Sequence, residues 1–547
     1  MIEGLSLAPA QLNPTVGDIT GNLEKLRKAR AEASKSNAKL LMTPELYLCG
    51  YPPEDLVLKP SFEREVHEAV HALARDTADG GPAVLLGTPW LENNKLYNAV
   101  LMLDGGNITG KVLKMNLPNY GPFDEKRVFA VGEFAEPMVF HGAKLGIIIC
   151  EDMWTPEVAM HLKRRGAEIL LVPNGSPYET GKLKEREELA RLRVQETELP
   201  LVYLNQIGGQ DELVFDGASF VMNKTGACTF RMKEWEEDIQ CVSLGDVLKG
   251  KPQEHKVSKE EIIYNALLLG LRDYVTKNGF PGVVLGLSGG IDSAVVAALA
   301  VDALGADKVW CVMMPSPYTS KESHEDAAAL AKNLTCRYDI IPIKDSMHAF
   351  DTTLKNVFSD KTPDTTEENI QARARGIILM ALSNKFGPMV LSTGNKSEMS
   401  VGYSTLYGDL CGGFAVLKDL YKTEVYNIAR WRNEHAPKTG LGPSDKIIPE
   451  RIFTKAPTAE LRPNQKDQDS LPPYDVLDGI LECLIEKDLG VQEVAGQGYD
   501  FATVKKIWSM LGRAEYKRRQ APPGVKITRR ILGKDRRYPI TNKYVGK

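Results

Sequence analysis

The sequence predicts two α/β domains in tandem: a layered domain with a mixed sheet, then a doubly wound parallel sheet. Three observations predict this. Residues 1–245 alternate short, wholly apolar strands with charged amphipathic segments. Residues 246–259 are polar and charged and read as a linker. Residues 260–547 begin with a helix and then PGVVLGLSGGIDSAVVAALAVDAL, an apolar strand, a glycine turn and an apolar helix. A doubly wound sheet opens in this way.

In the first domain the predicted strands are Ile2–Ala8, Leu40–Thr43, Ala83–Gly87, Leu145–Cys150, Ile169–Val172 and Leu201–Asn205. Helices are predicted over Asn22–Ser36 and Lys182–Glu198. LGIIIC and EILLVP show no polar alternation, as expected of strands covered on both faces. The segment SFVMNKTG and residues Ile239–Leu244 are predicted to close the domain as an antiparallel pair. In the second domain, strands at Val309–Pro315 and near Asp339–Pro342 follow the first, with helices between them. Pro457–Pro473 is a proline-rich polar loop. No repeat appears at solenoid periods.

Composition narrows the class. The chain has 547 residues, 43% hydrophobic and 26% charged, with a net charge of −4. That is the balance of a soluble globular protein and not of a general binder of nucleic acid. No apolar run reaches the ~20 residues of a membrane helix. The start, MIEGLSLAPAQLNP, lacks a basic n-region and an apolar h-region, so no secretory signal is expected. The eight cysteines (Cys49, Cys150, Cys228, Cys241, Cys311, Cys336, Cys411, Cys483) contain no CxxC pair. A reducing cytoplasm is expected, with most thiols inert in cores. The last 32 residues carry eleven Lys and Arg against one acid, Asp535. This cationic tail is either solvated or turned toward an anionic substrate. Nucleic acid is a third reading, disfavoured because only Tyr516, Tyr538 and Tyr544 accompany the charges.

Two segments carry chemistry. Ser288–Ser293, SGGIDS, lies between the strand VVLGL and the helix AVVAALA. Gly289 and Gly290 let backbone amides approach an anion, the helix start adds free N–H groups, and both serines add hydroxyls. No lysine of a Walker loop is present, so the geometry suits a pyrophosphate. Asp292 beside phosphates requires a cation between them, which points to Mg²⁺. In the first domain, Cys150 ends an apolar strand before the polar turn EDMW. A thiol of ordinary pKa is only about 3% thiolate at pH 7, so catalysis by it needs a base or a cation. Glu45 closes the strand LLMTPEL, and Lys114 opens KMNLPNYGPFDEKRVF.

The segments MTPELYLCGYPPEDL, KMNLPNYGPFDEKRVF and CEDMW resemble the nitrilase, or carbon–nitrogen hydrolase, family, and within it the glutaminase domains of NAD synthetases. The resemblance implies an αββα sandwich. It implies Cys150 as nucleophile, Glu45 as general base and Lys114 as oxyanion stabiliser, with Glu125 orienting the lysine or the substrate. Tyr120, Ser176 and Lys182 match positions that hold glutamine. Ser288–Ser293 resembles the PP-loop of the N-type ATP pyrophosphatases, a loop shared by several activities. EENIQARARG (367–376), LSTGNKSEMSVGYSTLYGD (391–409) and APTAELRPNQKDQDSLPPYDVLD (456–478) resemble the NAD synthetase family, with Gln468 as a small departure.

That resemblance implies ATP binding by Gly286, Leu287, Ser288, Gly289, Gly290, Ile291, Asp292, Ser293 and Thr393. Asn369 and Lys517 are implied contacts of deamido-NAD and its phosphates. Glu398 either pairs with Asp292 around Mg²⁺ or touches the dinucleotide. A homo-oligomer, at least a dimer, is expected, and no nucleic-acid or membrane partner. Two half-reactions in one chain imply that neutral ammonia travels through a water-poor passage. The competing readings are another PP-loop amidotransferase, a catalytically dead nucleotide sensor and a tRNA-modifying enzyme.

Overall fold

The computed structural model describes residues 2–544, and the chain divides into two compact units, residues 1–256 and 257–547. Of the polar segment read as a linker, residues as far as His255 lie against the first unit. The Gln253 amide donates to the Cys228 carbonyl at 2.8 Å, and His255 Nε2 lies 2.5 Å from Glu234.

Two sheets form the first unit. One runs Asp238–Ile239, Ser6–Gln11, Leu40–Met42, Ala83–Glu92, Lys95–Asp104, Asn107–Leu113, with Val242–Ser243 also paired to Ser6–Gln11. The other runs Cys228–Arg231, Phe220–Met222, Leu201–Asn205, Ile169–Asn174, Ala143–Ile147, Met138–Phe140. Strand side chains alternate between faces, and here both faces are apolar. Leu40, Met42 and Leu85 meet Ile169, Leu171 and Val202 in a core shared by the sheets. Leu41, Val84 and Leu86 turn outward beneath helices Ile19–Lys35 and Pro60–Asp76. Leu170, Val172 and Tyr203 turn outward beneath Pro156–Arg164 and Lys182–Thr197. The result is the αββα sandwich.

Three local expectations are corrected. Ile2–Gly4 forms a 3-10 turn and the strand starts at Ser6, because the chain must enter the sheet beside Leu40. The strand before Cys150 ends at Ile147, and Cys150 opens a 3-10 turn. The closing pair is different as well. Phe220–Met222 pairs with Cys228–Arg231 across a short turn, while residues 238–243 pair with Ser6–Gln11 on the other sheet.

In the second unit five parallel strands lie in the order Arg337–Ile340, Val309–Met313, Val283–Gly286, Met389–Ser392, Phe414–Ala415. In chain order this is 3-2-1-4-5. The order reverses between Val283–Gly286 and Met389–Ser392, and a crevice opens at such a switch point. Val284, Trp310, Val312 and Val390 pack on one face with Leu379 of helix Thr365–Phe386. Helices Tyr474–Ile485 and Phe501–Arg513 form a separate cluster with Met399 and Leu410. Among the described residues no helix is long and apolar enough to cross a membrane.

One buried acid ties three helices of this unit together. Asp302, near the end of helix Ile291–Leu304, accepts from Tyr264 Oη at 2.6 Å and from Arg432 Nε and Nη2 at 2.6 and 3.0 Å. Tyr264 belongs to helix Lys259–Lys277 and Arg432 to Lys422–Glu434. Asp302→Ala leaves a buried guanidinium unmatched, and a loss of about 3–5 kcal/mol in urea unfolding of the second unit is expected. A shift below about 1 kcal/mol, the scale of a solvent-exposed pair, would contradict this reading.

Candidate active sites

The first constellation is assembled by loops at the ends of strands from both sheets. Lys114 follows Asn107–Leu113, and Glu45 follows Leu40–Met42. The Lys114 ammonium donates to Glu45 Oε1 at 2.6 Å and to Glu125 Oε1 at 2.9 Å, and its side chain has no exposed surface. Glu45 also accepts from Asn98 Nδ2 at 2.7 Å and from the Gly175 amide at 2.8 Å. Residue 175 has to be glycine, because a Cβ there would stand 2.9 Å from the Tyr51 ring and 3.3 Å from Glu45 Oε2. Tyr51 Oη donates to Glu125 at 2.9 Å.

Cys150 sits at φ +43°, a left-handed conformation uncommon for a side chain of this kind and frequent at functional turns. The buried thiol feels Glu45, Lys114, Glu151 and Glu125. Burial pushes it well above its ordinary value, Glu45 adds to this, and Lys114 opposes it. Burial also pulls the Lys114 ammonium down, but Glu125, Glu45 and the thiol together push it up and prevail. Glu125 is raised, first by burial. Asp152 ties the cysteine turn to the lysine segment, accepting from the Asn116 amide at 2.6 Å and the Met115 amide at 3.2 Å. Burial raises Asp152 to about 7.

Around this core, Tyr120 Oη donates to Glu151 at 2.9 Å, and Lys182 Nζ stands 4.2 Å over the Trp154 ring. Ser176 is buried, and its Oγ accepts from Arg186 Nε at 3.0 Å. The same guanidinium bonds the Ser176 and Pro177 carbonyls at 2.7 and 2.8 Å and Asp216 at 2.7 Å. Arg186 thereby fixes the loop that supplies the Gly175 amide to Glu45. A thiol, a carboxylate and an ammonium enclosed together can perform acyl transfer through a thioester.

The second constellation lies at the switch point of the parallel sheet. A cavity of about 300 Å³ is lined by Gly286–Ser293, Thr393, Glu398, Arg375, Lys422 and Lys455, among others. Gly289 adopts φ +80°, and a Cβ there would stand 2.5 Å from the Ser323 carbonyl. The loop braces itself: the Gly290 amide donates to Ser288 Oγ, and Ser293 Oγ donates to the Gly290 carbonyl at 3.1 Å. The Lys422 ammonium bridges Asp292 at 2.5 Å and Glu398 at 2.9 Å, and Asn395 Nδ2 donates to Asp292 at 2.8 Å. Burial raises Glu398 to about 7, with Lys422 opposing and Asp292 assisting. Two carboxylates that already share one cation suit a hard divalent ion whose other ligands are phosphate and water oxygens.

Family comparisons agree with this pairing of sites. Residues 6–247 match the carbon-nitrogen hydrolase model and residues 263–521 the NAD synthase model. The glutamine-dependent NAD(+) synthetase of Rhodobacter capsulatus is 48% identical over 100% of this chain and 99% of its own. That of Thermotoga maritima is 46% identical over 99% of each. The chain belongs to the glutamine-dependent NAD synthetases. A solved member of the family from Acinetobacter baumannii, in complex with ADP, superposes with TM-score 0.78 at 41% identity over 99% of both chains.

In this NAD synthetase chain the structure brings Cys150, Glu45, Lys114 and Glu125 together, and lines one cavity with Gly286–Ser293, Thr393 and Glu398. Asn369 stands one step from that cavity, its Oδ1 accepting from Thr405 Oγ1, and Thr405 is on the wall. Lys517 Nζ donates to the Gly402 and Ser404 carbonyls at 2.9 and 2.6 Å. Three charges of the basic tail are withdrawn from solvent, while Arg519, Arg529, Arg537 and Lys543 are exposed. Lys526 is buried against Asp535, and Arg518 and Arg536 against Glu515. Sequence reasoning missed Lys422, Lys455, Asn98, Arg186 and Asp216. None stands in a motif, and each acquires its partner only through the fold. Glu151 and Asp152 stood in CEDMW, and their acidity beside the thiol was the signal available.

Proposed function

We propose that the first unit hydrolyses glutamine at Cys150 and that the second spends the ammonia in converting deamido-NAD to NAD. The observation that carries this reading is the enclosed Lys114 ammonium joining Glu45 and Glu125 beside the Cys150 thiol. Glu45 takes the thiol proton as sulfur attacks the carboxamide carbon. The tetrahedral oxyanion is stabilised by Lys114, with the Glu151 backbone N–H as second donor. Glu45 returns the proton to the departing nitrogen, leaving ammonia and a thioester. Glu45 then takes a proton from water, which attacks the thioester and yields glutamate and the free thiol. Tyr120, Ser176 and Lys182 hold the substrate.

In the second unit the amides of Gly286–Ser293 and Thr393 hold the ATP phosphates, and Asn369 and Lys517 serve deamido-NAD. The deamido-NAD carboxylate displaces pyrophosphate from ATP, and neutral ammonia then displaces AMP from the acyl adenylate. Asp292 and Glu398 are the residues to hold Mg²⁺, which supplies charge neutralisation for the phosphates when bound. Lys422 orients both carboxylates.

Helix Thr365–Phe386 leaves Ile377 60% exposed and Met380, one turn further along the same side, 36% exposed. We take this apolar face as the contact of a homodimer. Light scattering should give at least two chains, and a mass of one chain would remove the dimer. Eight free thiols fit a reducing cytoplasm.

NAD formation from deamido-NAD, ATP and Mg²⁺ tests the two-site reading directly. The unaltered protein should use glutamine or ammonium, and Cys150→Ala ammonium alone. Retention of glutamine use by Cys150→Ala would remove Cys150 as nucleophile. The raised Glu398 gives a second check. As pH falls through about 7 this carboxylate takes a proton and loses its charge, so magnesium–ATP affinity by calorimetry should weaken. Glu398→Gln should bind weakly at all pH values between roughly 6 and 8. An unchanged pH dependence in Glu398→Gln would assign the titration to another group.

A further inference from the structure

Cys311 and Cys336 belong to neither site. Cys311 is fully buried in strand Val309–Met313. The parallel register pairs it with Tyr338 of the next strand, so Cys336, two residues before Tyr338, falls on the same face of the sheet. Between them Thr335, at φ +54°, turns the chain out of helix Lys321–Leu334 and back toward the sheet. The two sulfurs stand 3.6 Å apart in S–H···S contact. Cys336 is partly exposed, flanked by exposed Thr335 and Arg337. The contact with Cys311 holds the Cys336 thiol below its ordinary value, although burial opposes this. The same contact, reinforced by burial, pushes Cys311 well above its own. A partly exposed thiol with a second thiol held 3.6 Å from it has the composition of an oxidisable pair.

We propose that Cys311 and Cys336 are a modification site at which hydrogen peroxide closes a reversible intrachain disulfide. The Cys336 thiolate attacks one peroxide oxygen, the O–O bond breaks, and hydroxide leaves a sulfenic acid on Cys336. The Cys311 sulfur, losing its proton, attacks the Cys336 sulfur and expels the second oxygen as hydroxide. With protons returned, two thiols and one peroxide become one disulfide and two waters. The sulfurs close from 3.6 Å to about 2.05 Å. Each thiol is attached to a wall of the nucleotide cavity. Val312 and Met313 of the Cys311 strand line it, as does Ser323 of the helix that ends just before Cys336. The Ser323 carbonyl is the group against which Gly289 of the phosphate loop packs. The disulfide thus ties the far end of that helix to the strand beside the loop.

The full-length protein, reduced and then exposed to hydrogen peroxide, is alkylated, digested without reductant and examined by mass spectrometry. The expected product is the Cys311 peptide joined to the Cys336 peptide, lighter by two hydrogen atoms and separated again by dithiothreitol. In Cys336→Ser this species is lost and Cys311 is recovered as a free thiol. Because the first arm uses the unaltered protein, it does not depend on the folding of any variant. Three results overturn the proposal: Cys336 recovered as sulfinic or sulfonic acid with Cys311 still alkylated, Cys336 joined to a different cysteine, or both thiols reduced while the partly exposed Cys241 and Cys411 are oxidised.

Discussion

An ammonium group without exposed surface has to be matched where it stands, and the first unit is arranged around that requirement. Taking Lys114 out of water costs several kcal/mol, which is offset only by close, well-aligned carboxylates. Glu45 and Glu125 supply them, and each is held by further donors, Asn98 and the Gly175 amide for one and Tyr51 for the other. These groups come from both sheets and the loops between them. No single strand or helix could supply the site, so the two-sheet architecture is a condition of the chemistry. Moving any one carboxylate away leaves a buried charge without its partner and a thiol in a different field.

The second unit uses the same device at a different depth. Lys422 stands between Asp292 and Glu398, but this trio borders a cavity and can be reached by a nucleotide and a cation. Lys396 is enclosed with Asp419 at 2.7 Å and Glu486 at 2.5 Å and is not among the residues lining that cavity. Its place between Thr393 and Glu398 makes it the pin of the loop that carries both. Three lysines, each between two acids, thus take three parts. What separates them is access: Lys114 is closed around a thiol, Lys422 is open to phosphate, and Lys396 is sealed for stability.

Legibility followed the range of the interactions. Apolar strands at residues 40–42, 169–174 and 283–286 were readable because burial on both faces removes polar alternation. The phosphate loop was readable because its glycines, serines and aspartate act within six residues. The long meander Ala83–Glu92, Lys95–Asp104 and Asn107–Leu113 was only started correctly, since PWLENN and DGGN mix polar and apolar residues at an exposed sheet end. Ile239–Leu244 reads equally well as the partner of either sheet, and its pairing with Ser6–Gln11 is decided over more than two hundred residues. Arg186 looked like one charge among many in KLKEREELARLR. Only Asp216, thirty residues on, and the Ser176–Pro177 carbonyls give it a task.

The thiols themselves show how environment sorts one residue type into different chemistry. Burial and the glutamates raise Cys150 and prevail over the opposing pull of Lys114, so the resting site holds a neutral thiol. A standing thiolate there would face Glu45, Glu151 and Glu125 in a medium that screens them poorly. On the proposed mechanism sulfur therefore becomes nucleophilic only in the encounter with substrate, when its proton passes to Glu45 and negative charge moves outward to an oxyanion facing Lys114. The enclosed cation is then better matched in the transition state than at rest, which is the condition for lowering the barrier. At Cys336 the order is reversed: a neighbouring thiol favours the thiolate before any reactant arrives. The same side chain is held silent in one place and poised in another by whether its nearest charged or polar neighbours resist or accept the loss of a proton.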